Sequence, residues 1–185
     1  MNKAQQQFGE PNAFIRAKVK SSLDPVVQEF IGQAPFAVMA TSNAHGDCDA
    51  SPKGGDPGFI KVLNEKTLLI PDFSGNKLFQ SYENIEGNPK VGLIFLIPGC
   101  GLTVRVNGKV RVIEKEELRR TTDFAEVFGA EEEEILQQAL LLDVEEAYPH
   151  CPRAFMFSKL WDTEIIQQNQ ISKSEQFWFA KYRDS

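Results

Sequence analysis

The stretch with the most chemical potential is Asp49-Ala-Ser-Pro-Lys-Gly-Gly-Asp-Pro-Gly58. Gly54 and Gly55 leave backbone N–H groups uncovered, Ser51 adds a hydroxyl and Lys53 an ammonium, a donor set that suits an anion such as a phosphate. The spacing of a Walker A loop is absent, and the composition is equally that of an ordinary loop. A second stretch, Ile70-Pro-Asp-Phe-Ser-Gly-Asn-Lys77, places Asn76 and Lys77 where a helix is expected to begin. Free amides, the positive dipole end and an ammonium then converge on one point; the plainer alternative is a solvated lysine at a helix start. The third is the alternating run Leu102-Thr-Val-Arg-Val-Asn-Gly108. Its Thr103, Arg105 and Asn107 form a polar ladder, either a sheet face that meets water or a ligand-facing one in which Arg105 offers forked donors.

These stretches need elements to position them. Asp24-Pro25 reads as the N-cap and first-turn proline of a helix with Val26, Val27, Phe30 and Ile31 as its stripe, ended by Gly32. From Pro35 the period changes to two. Phe36 to Ser42 reads as a buried strand, Asn43-Ala-His-Gly46 as a turn, and a second strand returns through Cys48 to Pro52. Phe59 to Leu63 and Thr67 to Asp72 are two further strands, followed by a short helix from Lys77 to Tyr82. Val91 to Ile97 is a continuous apolar strand. Leu102 to Ile113 alternates, with Leu102, Val104 and Val106 on the side opposite the ladder. Glu114 to Phe128 and Glu131 to Gln138 read as helices, the acidic run Glu131 to Glu134 suiting a helix N-terminus. Ala139 to Tyr148 stays open between helix and strand. Six or seven short strands with three or four helices, and no regular βαβ spacing, predict a mainly β, α+β fold: an antiparallel barrel with helices outside. Residues 1–22 read as an N-terminal arm and 23–185 as a single domain.

The chain has 185 residues, 42% of them hydrophobic and 25% charged, so a folded domain is expected rather than disorder. Its formal net charge of -6 argues against a nucleic acid or an anionic membrane as partner, since both require a basic field. A small anionic ligand remains compatible with a locally basic pocket. No segment approaches the ~20 apolar residues of a membrane-spanning helix, and the N-terminus lacks the apolar core of a signal peptide. The three cysteines, Cys48, Cys100 and Cys151, are odd in number and widely spaced, which predicts reduced thiols in a cytoplasmic protein. Cys151 is expected to be a packed thiol; its neighbour His150 would point away from it on a helix. With only His45 and His150 as imidazoles, no metal site is expected.

Taken in order, these words resemble the pyridoxamine 5'-phosphate oxidase-like superfamily of FMN-binding split barrels, in particular the PPOX class of FMN-dependent enzymes. The carriers are Phe36-Ala-Val-Met-Ala-Thr, Asp49-Ala-Ser-Pro-Lys-Gly-Gly-Asp-Pro-Gly58, Leu69-Ile-Pro-Asp72, Gly75-Asn-Lys77, Asn84-Ile85 and Asn88-Pro-Lys-Val-Gly-Leu-Ile-Phe95. Thr103-Val-Arg-Val-Asn-Gly108 and Ser158-Lys-Leu-Trp-Asp162 complete the set, which spans residues 23–162.

The resemblance implies a homodimer with FMN in a groove at the interface, each site drawing on both chains. It implies that the strand carrying Asp49, Ser51, Pro52 and Lys53 runs along the flavin ring and ribityl chain, and that Pro71 and Asp72 contact the cofactor from the next strand. Asn76 and Lys77 fall on the Arg-Lys pair that holds the 5'-phosphate. Asn76 replaces the arginine, so Lys77, Lys53 or Arg105 must supply the missing charge. Thr103 falls on a ring-side contact usually made by glutamine, with Arg105 on the same face, and Trp161 closes the site from the later segment. The implied activity is an FMN-dependent oxidation or reduction with a small-molecule electron donor or acceptor. The C-terminus, Phe177-Trp-Phe-Ala-Lys-Tyr-Arg-Asp-Ser185, lacks the Arg-Leu-His type motif that holds pyridoxal phosphate. Vitamin B6 oxidation with a divergent tail is therefore an alternative, as is a non-catalytic module for FMN, haem or a deazaflavin.

Overall fold

The computed structural model describes residues 2–73, 78–121, 127–128 and 136–183. Its centre is one antiparallel sheet of seven strands: β1 (Phe36–Ser42), β2 (Cys48–Gly54), β3 (Lys61–Asn64), β4 (Thr67–Phe73), β5 (Lys90–Leu96), β6 (Thr103–Glu114) and β7 (Leu136–His150). The order across the sheet is β2-β1-β5-β6-β7-β4-β3. The end strands β2 and β3 do not pair with each other, so the sheet is not closed. Helix α3 (Pro25–Gln33) precedes β1 and α4 (Gln80–Gly87) joins β4 to β5. Helices α1 (Lys3–Phe8) and α2 (Ala13–Ala17) precede them, and α5 (Lys115–Thr121) follows β6. Beyond β7 come α6 (Arg153–Ser158), α7 (Thr163–Ser172) and α8 (Glu175–Arg183).

Period-2 patterning turns one side of β1, β5 and β6 into core. Ala37, Met39, Leu93, Phe95, Val104 and Val106 are all buried in the larger apolar cluster. Val27 and Ile31 of α3 pack onto it. That helix starts where the sequence predicts: Asp24 accepts a hydrogen bond from Val27 N–H at 2.9 Å, with Pro25 in the first turn. Leu68 and Ile70 of β4 point into the larger cluster while Leu69 points into a second one with Ile113, Leu118, Leu136 and Ala139. Both faces of β4 are thus covered, which explains its unbroken apolar run.

Two sequence expectations need correction, and one open segment is decided. Leu136 to Gln138 are strand rather than helix: Gln138 pairs with Asp72 on one side and Glu114 on the other. The open segment Ala139 to Tyr148 continues that strand, and its long ladder with β6 outweighs the helical propensity of its Leu, Ala and Glu residues. The helix expected over Lys77 to Tyr82 runs among the described residues from Gln80 to Gly87, with 78–79 outside it and Lys77 outside the described residues. Of the helix expected over Glu114 to Phe128, Lys115–Thr121 is helical and 122–126 lie outside the described residues, as does the acidic run 131–134. The N-terminal residues form the two short helices α1 and α2, and Lys20 makes a bridge to Ala147 of β7. Among the described residues no helix is long and apolar enough to cross a membrane.

Candidate functional site

Strand β2 lies at an edge, and its sequence suits that place. Gly55 N–H donates to Pro35 O at 3.1 Å, which makes Gly54–Phe36 a non-hydrogen-bonded pair. By the alternation of an antiparallel ladder, Pro52–Val38 is one too. Pro52 therefore turns its missing N–H to the open edge, where a strand proline is tolerated. Asp49, Ser51 and Lys53 stand opposite Thr41, Met39 and Ala37, which are buried. These three polar side chains share the core-facing side of the sheet and are half-buried there. Polar groups occupy interior-facing positions because the apolar filling stops at the seam between the two ends of the sheet.

The other wall of the seam is β4, with Pro71, Asp72 and Phe73, and the start of α4 closes one end. Phe79, at φ 51, turns the chain into the helix. Ser81 Oγ donates to Asp49 Oδ2 at 2.9 Å, Asn84 Nδ2 to Thr41 Oγ1 at 2.9 Å and Asn88 Nδ2 to Ser42 Oγ at 3.0 Å. These bonds tie α4 to β1 and β2. The enclosed cleft has a volume of about 490 Å³, within the range of small-molecule and cofactor sites. Phe59, Pro71, Phe73 and Phe79 give it apolar surface, and Ser51, Lys53 and Gln137 offer hydrogen-bonding groups.

Tyr82 lines the same cleft and meets Phe79 edge-on, 5.9 Å between ring centroids. Burial above all, then the neighbouring Asp72 carboxylate, pushes its phenol far above the usual tyrosine range. It stays protonated at any physiological pH. Gln138 Nε2 donates to Asp72 Oδ2 at 3.2 Å. Asp49 and Asp72 contribute two carboxylates to the wall, and Lys53 is the one cation among its described lining residues.

Of the residues singled out in the sequence, Asp49, Ser51, Pro52, Lys53, Pro71 and Asp72 meet in this cleft. Asn76 and Lys77 lie outside the described residues. Thr103, Arg105 and Trp161 do not line the cleft of their own chain. Thr103 and Arg105 stand on β6 opposite His150 and Tyr148 of β7. Thr103 is buried, and its Oγ1 has no hydrogen-bond partner among the described residues. Partial burial and then the Arg105 charge lower the His150 pKa from its ordinary value. Trp161 Nε1 donates to Cys100 O at 3.0 Å, and its ring stacks on Phe155 at 5.9 Å. Cys151 is exposed, not packed, because it follows the last residue of β7 and no element covers it. Among the described residues no group of three or more His, Cys, Asp or Glu gathers as metal ligands would.

Sequence reasoning missed Ser81, Tyr82 and Gln137. The first two read as ordinary helix positions until α4 is seen to start against β2. Gln137 was expected on a helix and instead lies on β7.

Residues 23–151 match the sequence profile of the family described as Pyridoxamine 5'-phosphate oxidase. No curated protein sequence matches the chain. Among solved structures, a Lactobacillus delbrueckii protein named for pyridoxamine 5'-phosphate oxidase is similar at a TM-score of 0.51 and 21% identity, covering 70% of this chain and 95% of its own. A variant of HupZ from Group A Streptococcus is similar at a TM-score of 0.50 and 18% identity, covering 69% and 99%. At these identities the likeness is one of fold.

Proposed function

The chain belongs to the pyridoxamine 5'-phosphate oxidase family, and from that premise we propose that the seam between β2 and β4 holds FMN in a homodimer and supports oxidation or reduction of a small molecule. The observation that carries this reading is the polar triplet Asp49, Ser51 and Lys53 on the interior face of β2, facing a second wall from β4. A core strand has no use for these side chains; a cleft for a flat, polar, phosphorylated ligand does. The residues present fit such a group: apolar rings along the walls, a hydroxyl and an amide for heteroatoms, and an ammonium for an anion.

FMN, when bound, supplies the electron-transfer chemistry of its ring, and the protein supplies binding, orientation and charge. Lys53 would hold the phosphate end, a role the resemblance also gives to Lys77, which lies outside the described residues. Ser51 would hydrogen-bond to the ligand, and Phe59, Phe73 and Phe79 would help to exclude water from it. Tyr82 stays a neutral hydrogen-bond donor, its phenolic proton held by burial and by Asp72. Thr103 and Arg105 cannot serve the cleft of their own chain from where they stand. We assign them to the cleft of a second copy, where the unpartnered Thr103 Oγ1 would find an acceptor or donor on the ligand.

The test is direct. The purified protein is heated, and the released chromophore is identified by mass and fluorescence. FMN in a stoichiometry of one per chain, with photoreduced protein passing electrons to oxygen, a nicotinamide or a quinone faster than free FMN, supports the reading. A colourless protein that ignores added FMN overturns it. Haem or a deazaflavin in place of FMN overturns the cofactor assignment, and a bound flavin without turnover leaves a binding module.

A further inference from the structure

At the end of the β6–β7 ladder, four polar side chains share a face that the cleft of their own chain does not use. Val104 and Val106 belong to the larger core cluster, so Thr103 and Arg105 alternate onto the opposite face, with His150 and Tyr148 as their cross-strand partners. Thr103 is 1% exposed, and its Oγ1 has no hydrogen-bond partner among the described residues. Buried hydroxyls in folded proteins are nearly always paired, so this one points to a group that the chain does not itself supply.

Arg105 tells the same story through its charge. It is half-buried, and among the described residues its guanidinium has neither an ion pair nor a hydrogen bond. Arg16, Arg111 and Arg119 each meet a carboxylate. The acids of the adjacent β7 are engaged elsewhere: Asn107 Nδ2 donates to Glu146 Oε1 at 3.4 Å, and Lys90 pairs with Glu145. The uncompensated Arg105 charge reaches His150, whose pKa it lowers together with burial. Tyr148 and His150 meet edge-on, 6.5 Å between ring centroids. Apolar surface borders the group. Ile94 of β5 stands opposite Arg105, and at the Thr103 end Trp161 donates to Cys100 O and stacks on Phe155.

We propose that Thr103, Arg105, Tyr148 and His150 form a subsite for the carboxylate of the small molecule that is oxidised or reduced, an organic monocarboxylate with an apolar or aromatic body. The guanidinium fork matches a planar carboxylate, and the hydroxyl, phenol and imidazole add hydrogen-bonding groups around it. Of the four side chains only Arg105 carries a permanent charge, which suits a monoanion better than a dianionic phosphate. Desolvation of that charge has no counter-charge to offset it until an anion arrives. Ile94, Phe155 and Trp161 suit the rest of the molecule. This inference deepens the flavin reading and rests on it for one point, that this face adjoins the flavin bound by a second copy.

The probe is benzoate, with benzamide as its neutral isostere and inorganic phosphate as the competing anion. The readout is the imidazole NMR signal of His150 in the full-length protein as purified; the chain has two histidines, and His45→Gln leaves His150 alone. Benzoate at millimolar concentration is expected to shift this signal saturably. It is also expected to raise the His150 pKa, because an anion on Arg105 offsets the charge that lowers it. Benzamide and phosphate are each expected to bind at least tenfold more weakly. Arg105→Gln is expected to weaken benzoate at least tenfold, and Thr103→Val, which keeps the shape and drops the hydroxyl, at least threefold. Equal binding of benzoate and benzamide, tighter binding of phosphate, or no saturable response overturns the proposal. If heat still releases FMN from such a protein, the cofactor reading stands without it. A protein that holds no flavin but whose His150 answers benzoate as expected overturns the flavin reading and leaves a carboxylate site. An Arg105→Gln variant that binds FMN tenfold more weakly with its benzoate response unchanged assigns Arg105 to the cofactor and overturns the proposal.

Discussion

Lys53→Ala tests the cleft most sharply. The side chain is half-buried on the interior face of β2 and is the one cation among the described residues lining a cleft that also holds Asp49 and Asp72. A hydrogen bond to a charged group contributes about 1.5–3 kcal/mol. Partial exposure lowers that figure, but removal of Lys53 also leaves two carboxylates facing a dianionic phosphate with less to offset them. A loss of about 1–2 kcal/mol follows, equivalent to a 5- to 30-fold rise in the FMN dissociation constant. Fluorescence titrations with FMN and with riboflavin, for wild type and variant, form a cycle. Riboflavin carries the ring and ribityl chain without the phosphate, so its affinity is expected to change less than twofold. The FMN penalty should also shrink as salt rises and the Debye length falls below ~8 Å. An equal loss for both ligands would place Lys53 at the ring instead, and no loss for either would refute the assignment of the phosphate to this end of the cleft.

Other outcomes follow from the same structure. Gly108→Ala is expected to cost about 3 kcal/mol or more in urea denaturation, because its Cβ would collide with Asp143 O in the backbone of β7, beside the register shift between the Asn107–Glu146 and Gly108–Val144 pairs; a variant within 1 kcal/mol of wild type would refute that close approach. Asp24→Ala is expected to cost about 1 kcal/mol at pH 7 through the lost α3 cap. Its bonds to Lys20 and Val27 lower the Asp24 pKa. The stabilisation is therefore complete above the ordinary carboxylate range and disappears as pH falls through the depressed value, so wild type and variant should converge in acid. Tyr82 has the opposite sign. Its phenol is raised in the folded state, so it favours folding fully below the unfolded pKa of ~10, and that share is lost as pH climbs above it. Absorbance at alkaline pH should show the Tyr82 phenol titrating only with unfolding, and Tyr82→Phe should remove that step.

The strands visible in the sequence are short runs bounded by turn residues, whether alternating or, as in β4 and β5, continuously apolar. β6 alternates Val104 and Val106 against Arg105 and Asn107, and β1 and β2 are separated by a turn with Asn and Gly. β7 was hidden because Leu140, Leu141 and Leu142 fall in a row flanked by Gln and Glu, a composition that favours helix. Only its position between β4 and β6, where both faces find apolar neighbours, makes it a strand. The cleft was legible where loop chemistry marks it, at Ser51, Lys53 and Asp72. It was not legible at Ser81 and Tyr82, whose roles arise from a helix meeting a strand some thirty residues away, as the Ser81–Asp49 bond shows. Thr103 is the informative intermediate. Its place on the ladder was evident, but its burial with an unmatched hydroxyl was not.

The open seam explains why one strand can serve stability and chemistry together. A sheet that closed would pair β2 with β3 and remove both edges. Two features oppose that closure. Pro52 denies the outer edge of β2 a donor, so a partner strand there would lose a ladder bond. Asp49, Ser51 and Lys53 face inward, where closure would bury three polar side chains at a cost of about 1–3 kcal/mol for each group left unsatisfied. Asp49 meets this locally through Ser81. For Lys53, no apolar filling could replace an anion, because an ammonium enclosed without a counter-charge costs more than its packing returns. The substitutions that would let the barrel close are those that would remove the polar lining of the cleft, and this couples the incomplete sheet to the function proposed for it.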